Sequence, residues 1–329
     1  MKINTTKVFL VIPTIRDLDF LKSWGHEFKD CNLLVVEDHP EKTVNIPNNK
    51  FKTINHYSWK EIDGDLGKNS WIVSRFNAGI RSYGFWKAYK LGATAVITLD
   101  DDCYPDEKDF LKKHIQNLEF KIPQGWINTY PDPNWMYTRG IPYRVRNKIE
   151  VVLSHGLWSG ALDLDAKTEI QLPKLLNEKS YAPLRNIIPF NYFYPMCSMN
   201  LAFRREIAPL MYFPMMGKSE TGKAWPYDRY DDIWAGIFSK KIMDHLGLGA
   251  VSGSPIIKHN KASKPHTNHA KEKLGMAVNE TLWKSVMKVK LTKTTPKECY
   301  IELARKVSFP KNDYFIELRK AMIIWAELF

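Results

Sequence analysis

Several things are scarce in this chain of 329 residues, and each scarcity excludes a class of protein. Its four cysteines, Cys31, Cys103, Cys197 and Cys299, lie far apart and form neither a paired zinc-site spacing nor a CxxC redox motif, which fits a reducing, cytoplasmic compartment. The apolar run near the amino terminus, Val8 to Pro13, is too short for a signal-peptide core or a membrane span, so no span is expected. Internal repeats and low-complexity tracts are missing as well. With 44% hydrophobic and 26% charged residues the chain can bury a large core, and disorder is not expected.

What the chain has in excess is positive charge, +12 in all. That bears on partners rather than fold, and leaves phosphate-bearing substrates, nucleic acid and other polyanions open. Short β-rich runs ending in polar residues recur: "KVFLVIPTIRD", "NLLVVEDH", "AVITLDDD", "VVLSHGLW" and "MCSMNLAF". Helical patterns alternate with them. After Pro105, "DEKDFLKKHIQNLEF" sets Phe110, Leu111, Ile115 and Leu118 on one face, with acidic residues expected in the first turn. This alternation predicts an α/β fold with a mostly parallel central sheet. The expected division is a catalytic domain over residues 1–265 and a helical extension packed on it over residues 266–329. Its last helix would be capped by Asn312 or Asp313.

Ligands of such sheets bind beyond the carboxyl ends of the strands. Asp100, Asp101 and Asp102 close a β-branched strand, and clustered carboxylates there suit Mn²⁺ or Mg²⁺, which prefer oxygen ligands and leave positions for phosphates. A solvated acidic turn is the plainer reading of the same residues. Asp231 and Asp232 open a helical pattern; one carboxylate serves as a cap, and two exceed that need, so one is a candidate to handle the proton of a sugar hydroxyl. His259, closing "SPIIKH", is a candidate metal ligand, and Lys261 a candidate phosphate contact. Arg139, Arg144 and Arg146 stand among aromatics in "NWMYTRGIPYRVRN", a composition that suits diphosphate recognition without marking a catalytic residue.

Taken together, "VIPTIRDLDFL", "TLDDDC", "RGIPYRVR", "SHGLW", "YPMCSMNLAF", "RYDDIWAG" and "HNKASKP" closely resemble the reversibly glycosylated polypeptide family, the UDP-arabinopyranose mutases. The resemblance runs nearly the whole length. It implies a GT-A-like nucleotide-sugar fold, Mn²⁺ dependence, and interconversion of the pyranose and furanose forms of UDP-arabinose. It further implies that Arg139 transiently carries the sugar as a catalytic residue, with Asp231 and Asp232 beside it. Thr14, Arg16, Asp38, Arg146, His155, Trp158 and Lys261 would bind substrate, and Asp100, Asp101, Asp102 and His259 would hold the metal. The alternative is a UDP-sugar-dependent glycosyltransferase acting on a polyanionic acceptor such as DNA, drawn by the positive charge. A homo-oligomer is compatible with either.

Overall fold

The computed structural model describes residues 2–47, 51–128, 137–171, 184–218, 224–260 and 264–329. In chain order these form β1 (Val8–Thr14), β2 (Asn32–Glu37), β3 (Thr53–Tyr57), α1 (Trp59–Leu66), α2 (Arg81–Lys90), β4 (Ala95–Leu99), β5 (Cys103–Pro105), α3 (Phe110–Glu119) and β6 (Lys121–Ile122). There follow β7 (Ile149–Gly160), α4 (Ala166–Gln171), β8 (Arg185–Ile187), β9 (Asn200–Arg204), α5 (Asp231–His245), β10 (Gly249–His259), α6 (Pro265–Met287), α7 (Pro296–Lys306) and α8 (Asp313–Glu327).

One sheet organises them, in the order β3-β2-β1-β4-β9-β7-β10-β5, with β6 and β8 as short side strands. Of the seven neighbouring pairings along that order, four are parallel and three antiparallel. The class is the α/β one expected, with helices at the carboxyl terminus. β9 runs against both its neighbours, and that reversal was not anticipated. The five runs read as strands are β1, β2, β4, β7 and β9. β1 and β4 are buried at every residue, which fits strands covered on both faces.

Two apolar layers do the covering. One contains Trp24, Phe28 and Phe110 below the sheet's first strands. The other, larger, unites α2, α5 and the carboxyl-terminal helices around Trp234, Tyr300 and Trp325. α2 sits unusually close to β1 and β2 because Gly84 faces them: a methyl there would lie 2.5 Å from Val11 Cγ1 and 2.9 Å from Val36 Cγ2. This fixes the height of Arg81 at the start of α2.

The terminal helices begin and end as their sequences direct. Asn312 caps α8 by accepting the Phe315 N–H at 3.2 Å. Arg319 donates to the last carbonyls of α7, at 2.7 Å to Arg305 and 2.9 Å to Val307. α3 departs from expectation. It starts only at Phe110, without acidic residues in its first turn. Asp106 accepts the Ser159 hydroxyl at 2.7 Å, and Glu107 accepts the Ser254 hydroxyl and the Ile256 N–H, both at 2.8 Å. These acids were recruited to hold β7 and β10, and so were lost to the helix. Among the described residues no helix is long and apolar enough to cross a membrane.

Candidate active site

A cleft of about 350 Å³ opens beyond the carboxyl ends of β1, β2 and β4, lined by Thr14, Arg16, Asp38, Phe76, Arg81 and Asp100 to Asp102 among others. That is the place the parallel strands dictate. Thr14, buried at the end of β1, donates its hydroxyl to Asp101 Oδ2 at 2.7 Å and accepts the Arg16 N–H at 3.0 Å. Arg16 reaches Asp101 with Nε at 3.2 Å and with a second guanidinium nitrogen. Asp38, just past β2, is 8% exposed. Its carboxylate accepts the Trp59 indole N–H at 2.8 Å and the backbone N–H groups of Phe76 and Asn77. Burial pushes its pKa up to about 6, with these donors and Arg75 pulling the other way. Phe76 has a left-handed backbone, φ 62°, and an exposed ring edge-on to Trp59 at 5.1 Å. A bulky side chain seldom adopts that conformation, and residues that do cluster at functional sites.

The three aspartates do not face one ion together. Asp100 is paired with Arg81, Asp101 with Arg16, and Asp102 lies 3.7 Å from His259 Nε2. Among the described residues no three His, Cys, Asp or Glu side chains converge as a ligand set. Asp102 and His259 are the two that fit a cation. The His259 Nδ1–H donates to the Ala161 carbonyl at 3.0 Å, leaving Nε2 turned toward Asp102. A ring nitrogen anchored on a carbonyl is how metal-binding imidazoles are commonly oriented. One oxygen and one nitrogen donor, with the rest from phosphate and water, suits Mn²⁺ or Mg²⁺.

Arg81 escaped notice in the sequence, where one arginine in "AGIRSYG" reads as an ordinary helix residue. It is completely buried. Its Nε donates to the Ala78 carbonyl at 3.0 Å, and Nη1 to Thr98 Oγ1 at 2.9 Å and the Ser198 carbonyl at 2.8 Å. Nη2 meets Asp100. Burial works against its charge, and Asp100 more than offsets that.

Beside the cleft, α5 opens with Asp231 and Asp232. Asp232 Oδ2 accepts the Ser198 N–H at 3.0 Å and the Ser198 hydroxyl at 3.2 Å. Asp231 lies against the backbone before α2; a methyl at Gly79 would be 3.3 Å from its Oδ2. Burial raises both carboxyl groups well above the usual range. Arg81 opposes this at Asp231, whereas the charges of Asp231 and Asp163 add to it at Asp232. Adjacent in the chain and like in charge, one buried and one half-buried, the two are disposed to hold one proton between them.

Other expected site residues lie elsewhere. His155 is buried, accepts the Cys197 N–H on Nε2 at 3.2 Å and donates from Nδ1 to Ser252 Oγ at 2.9 Å. Burial lowers its pKa to about 4, so it is a neutral brace between β7 and β10 and not a substrate contact. Trp158 packs edge-on to it at 5.7 Å and on the first apolar layer. Arg146 donates to the Ile141 carbonyl at 2.9 Å and stacks on Tyr143, 4.0 Å away, bracing its own loop. Arg139 is exposed in that loop. The loop runs directly into the amino-terminal end of β7; Gln124 N–H to Val145 O at 3.0 Å ties it to the segment after β6, which pairs with that end, and Tyr137 to Asn147 closes the loop on itself. Leu99 is level with Asn200 and thus with the middle of β7, so Ile149 lies roughly 20 Å below the aspartates. The loop that carries Arg139 is therefore anchored at the opposite end of the sheet from the cleft. Lys261 falls outside the described residues.

With this geometry in hand, comparison with known proteins gives consistent results. The family described as reversibly glycosylated polypeptide matches residues 3–329. UDP-arabinopyranose mutase 1 of Arabidopsis thaliana is 37% identical over 97% of this chain and 90% of its own length. UDP-arabinopyranose mutase 1 of Oryza sativa subsp. japonica is 36% identical over 97% of this chain and 89% of its own. Among solved structures, mouse xyloside xylosyltransferase 1 aligns over 62% of this chain and 69% of its own, at TM-score 0.27 and 8% identity, too slight a likeness to carry an argument.

Proposed function

The chain belongs to the reversibly glycosylated polypeptide family, and from that premise we propose that it interconverts the pyranose and furanose forms of UDP-arabinose. The single observation that supports this beyond kinship is the pairing of a nucleotide-sized cleft with two adjacent carboxyl groups at its side, both with raised pKa.

The chemistry is a change of ring oxygen. In the pyranose, C1 is bonded to the C5 oxygen; in the furanose, to the C4 oxygen. UDP leaves C1 as the C4 oxygen bonds there and gives up its proton, and UDP returns to C1 as the C1–O5 bond breaks and the C5 oxygen takes up a proton. Two carboxyl groups holding one proton between them can do both: the ionised one takes the C4 proton and the protonated one supplies C5. Asp231 and Asp232 are the residues assigned to this exchange. Thr14, Arg16 and Asp38 would bind the nucleotide, with Phe76 offering an apolar face to the base. Asp102 and His259 would hold Mn²⁺ or Mg²⁺. Such a cation, when bound, neutralises the diphosphate oxygens and makes UDP a better leaving group. Arg139, in a loop anchored at the far end of the sheet, carries no step in this reading.

The test is incubation of the pure protein with UDP-arabinopyranose and Mn²⁺, with no acceptor, followed by chromatographic separation. UDP-arabinofuranose forming under those conditions supports the mutase. Turnover seen only after an acceptor is added would overturn it in favour of transfer.

A further inference from the structure

Arg81 is an expensive residue for the fold alone. It is buried completely. It also stands in the first turn of α2, where the helix dipole disfavours a cation. An apolar side chain of similar length would fill the same volume without the desolvation cost. What the guanidinium does instead is reach in two directions. Toward the nucleotide side it binds Asp100 and the Thr98 hydroxyl at the end of β4. On the other side it donates to the Ser198 carbonyl at 2.8 Å, and the N–H and hydroxyl of that same serine donate to Asp232. One residue thus separates Arg81 from the carboxyl pair. The backbone just before it, Ala78 and Gly79, touches both groups: Ala78 accepts from Arg81, and Gly79 abuts Asp231.

We propose that Arg81 is a positioning residue serving both halves of the cleft, orienting Asp100 on the nucleotide side and, through Ser198 and its own charge, the Asp231 and Asp232 pair on the other. The naming of that second side as the sugar side rests on the mutase reading; the link itself does not. The charged groups facing the pair are Arg81 from α2, Asp163 beyond β7, and Asp228 and Arg229 from the segment before α5. Arg229 is itself engaged by Glu272 of α6 at 2.9 Å. Arg81 is therefore the fully buried cation acting on both carboxyl groups. With its charge removed the pair holds its proton more tightly.

The experiment follows the carboxyl carbons of Asp231 and Asp232 by ¹³C NMR across a pH titration, using Asp231→Asn and Asp232→Asn to assign the signals. UDP affinity is measured alongside by calorimetry. Arg81→Met should move the titration of the pair upward by about one pH unit, a tenfold change in proton affinity. Arg81→Lys keeps the charge without the fork. It should leave the titration within a few tenths of a unit of wild type and weaken UDP binding about tenfold or more. If Arg81→Met does not fold, Arg81→Lys decides alone. An unmoved titration in folded Arg81→Met, or wild-type UDP affinity in Arg81→Lys, overturns the proposal. Neither readout uses turnover, so a wild-type protein that fails to make furanose sinks the mutase reading and leaves this one standing or falling by its own data.

Discussion

The replacement Asp38→Asn sets two measurable effects against each other. In the wild type, burial holds the Asp38 pKa at about 6 against an ordinary value of 3.8. A group whose folded pKa is raised contributes stability that is complete below the unfolded value and is lost as pH rises through the folded one. The rise from 3.8 to about 6 corresponds to about 3 kcal/mol, lost between about pH 3 and pH 7. Asparagine has no charge to bury, so the variant escapes that loss. It suffers another: one amide oxygen cannot serve the Trp59 indole together with the Phe76 and Asn77 N–H groups, and an orphaned buried donor costs about 1–3 kcal/mol. At pH 7.5 the two roughly cancel. At pH 4.5, where wild-type Asp38 is largely protonated, mainly the second remains. Urea unfolding of both proteins at the two pH values isolates the difference, because every other titrating group is common to them. Relative to wild type, the variant should gain about 2 kcal/mol on going from pH 4.5 to 7.5. A difference that stays constant, or moves the other way, refutes the reasoning about Asp38.

Three further outcomes are expected. Asp232→Asn should lower the interconversion rate by about 10²- to 10⁴-fold with UDP affinity within about twofold, read by product chromatography and calorimetry; a variant retaining a tenth of the wild-type rate removes Asp232 from the proton exchange. His259→Ala should weaken Mn²⁺ binding by at least about tenfold, measured by electron paramagnetic resonance of the free ion, and unchanged affinity would take the imidazole out of the metal site. Arg139→Ala should leave UDP affinity unaltered, because its loop hangs from the amino-terminal end of β7; a tenfold loss would put that arginine in the cleft after all.

Much of this is legible in the sequence. A β-branched run ending in carboxylates, as in "AVITLDDD", marks both a buried strand and the edge where ligands gather, so β4 and its aspartates could be placed together. The Asn312 cap of α8 was equally plain, because a cap is a local event. Direction is not local. Nothing in "NLAFR" distinguishes a strand running with its neighbours from one running against them, and β9 proved antiparallel. The same limit explains His155 and Arg139. A short motif says which residues recur, whereas burial at the centre of β7 or suspension from its far end depends on what the rest of the chain packs there. Arg81 was invisible for the converse reason: its partners Thr98, Asp100 and Ser198 are 17, 19 and 117 residues away.

The stretch Asp100 to Asp102 also has a mechanical aspect. β4 lies in the middle of the sheet, yet β5, beginning only four residues after β4 ends, is bonded to β10, and the Asn260 N–H closes on the Asp102 carbonyl at 3.1 Å. Four residues span at most about 14 Å, so the upper end of β10 must curl back toward β4, and the aspartates act as the clasp that keeps it curled. A ligand gripping the clasp would work as a reversible crosslink between the two halves of the sheet. Saturating it a hundredfold above its dissociation constant would add about 2.7 kcal/mol to unfolding, felt as far away as the pairing of β10 with β7.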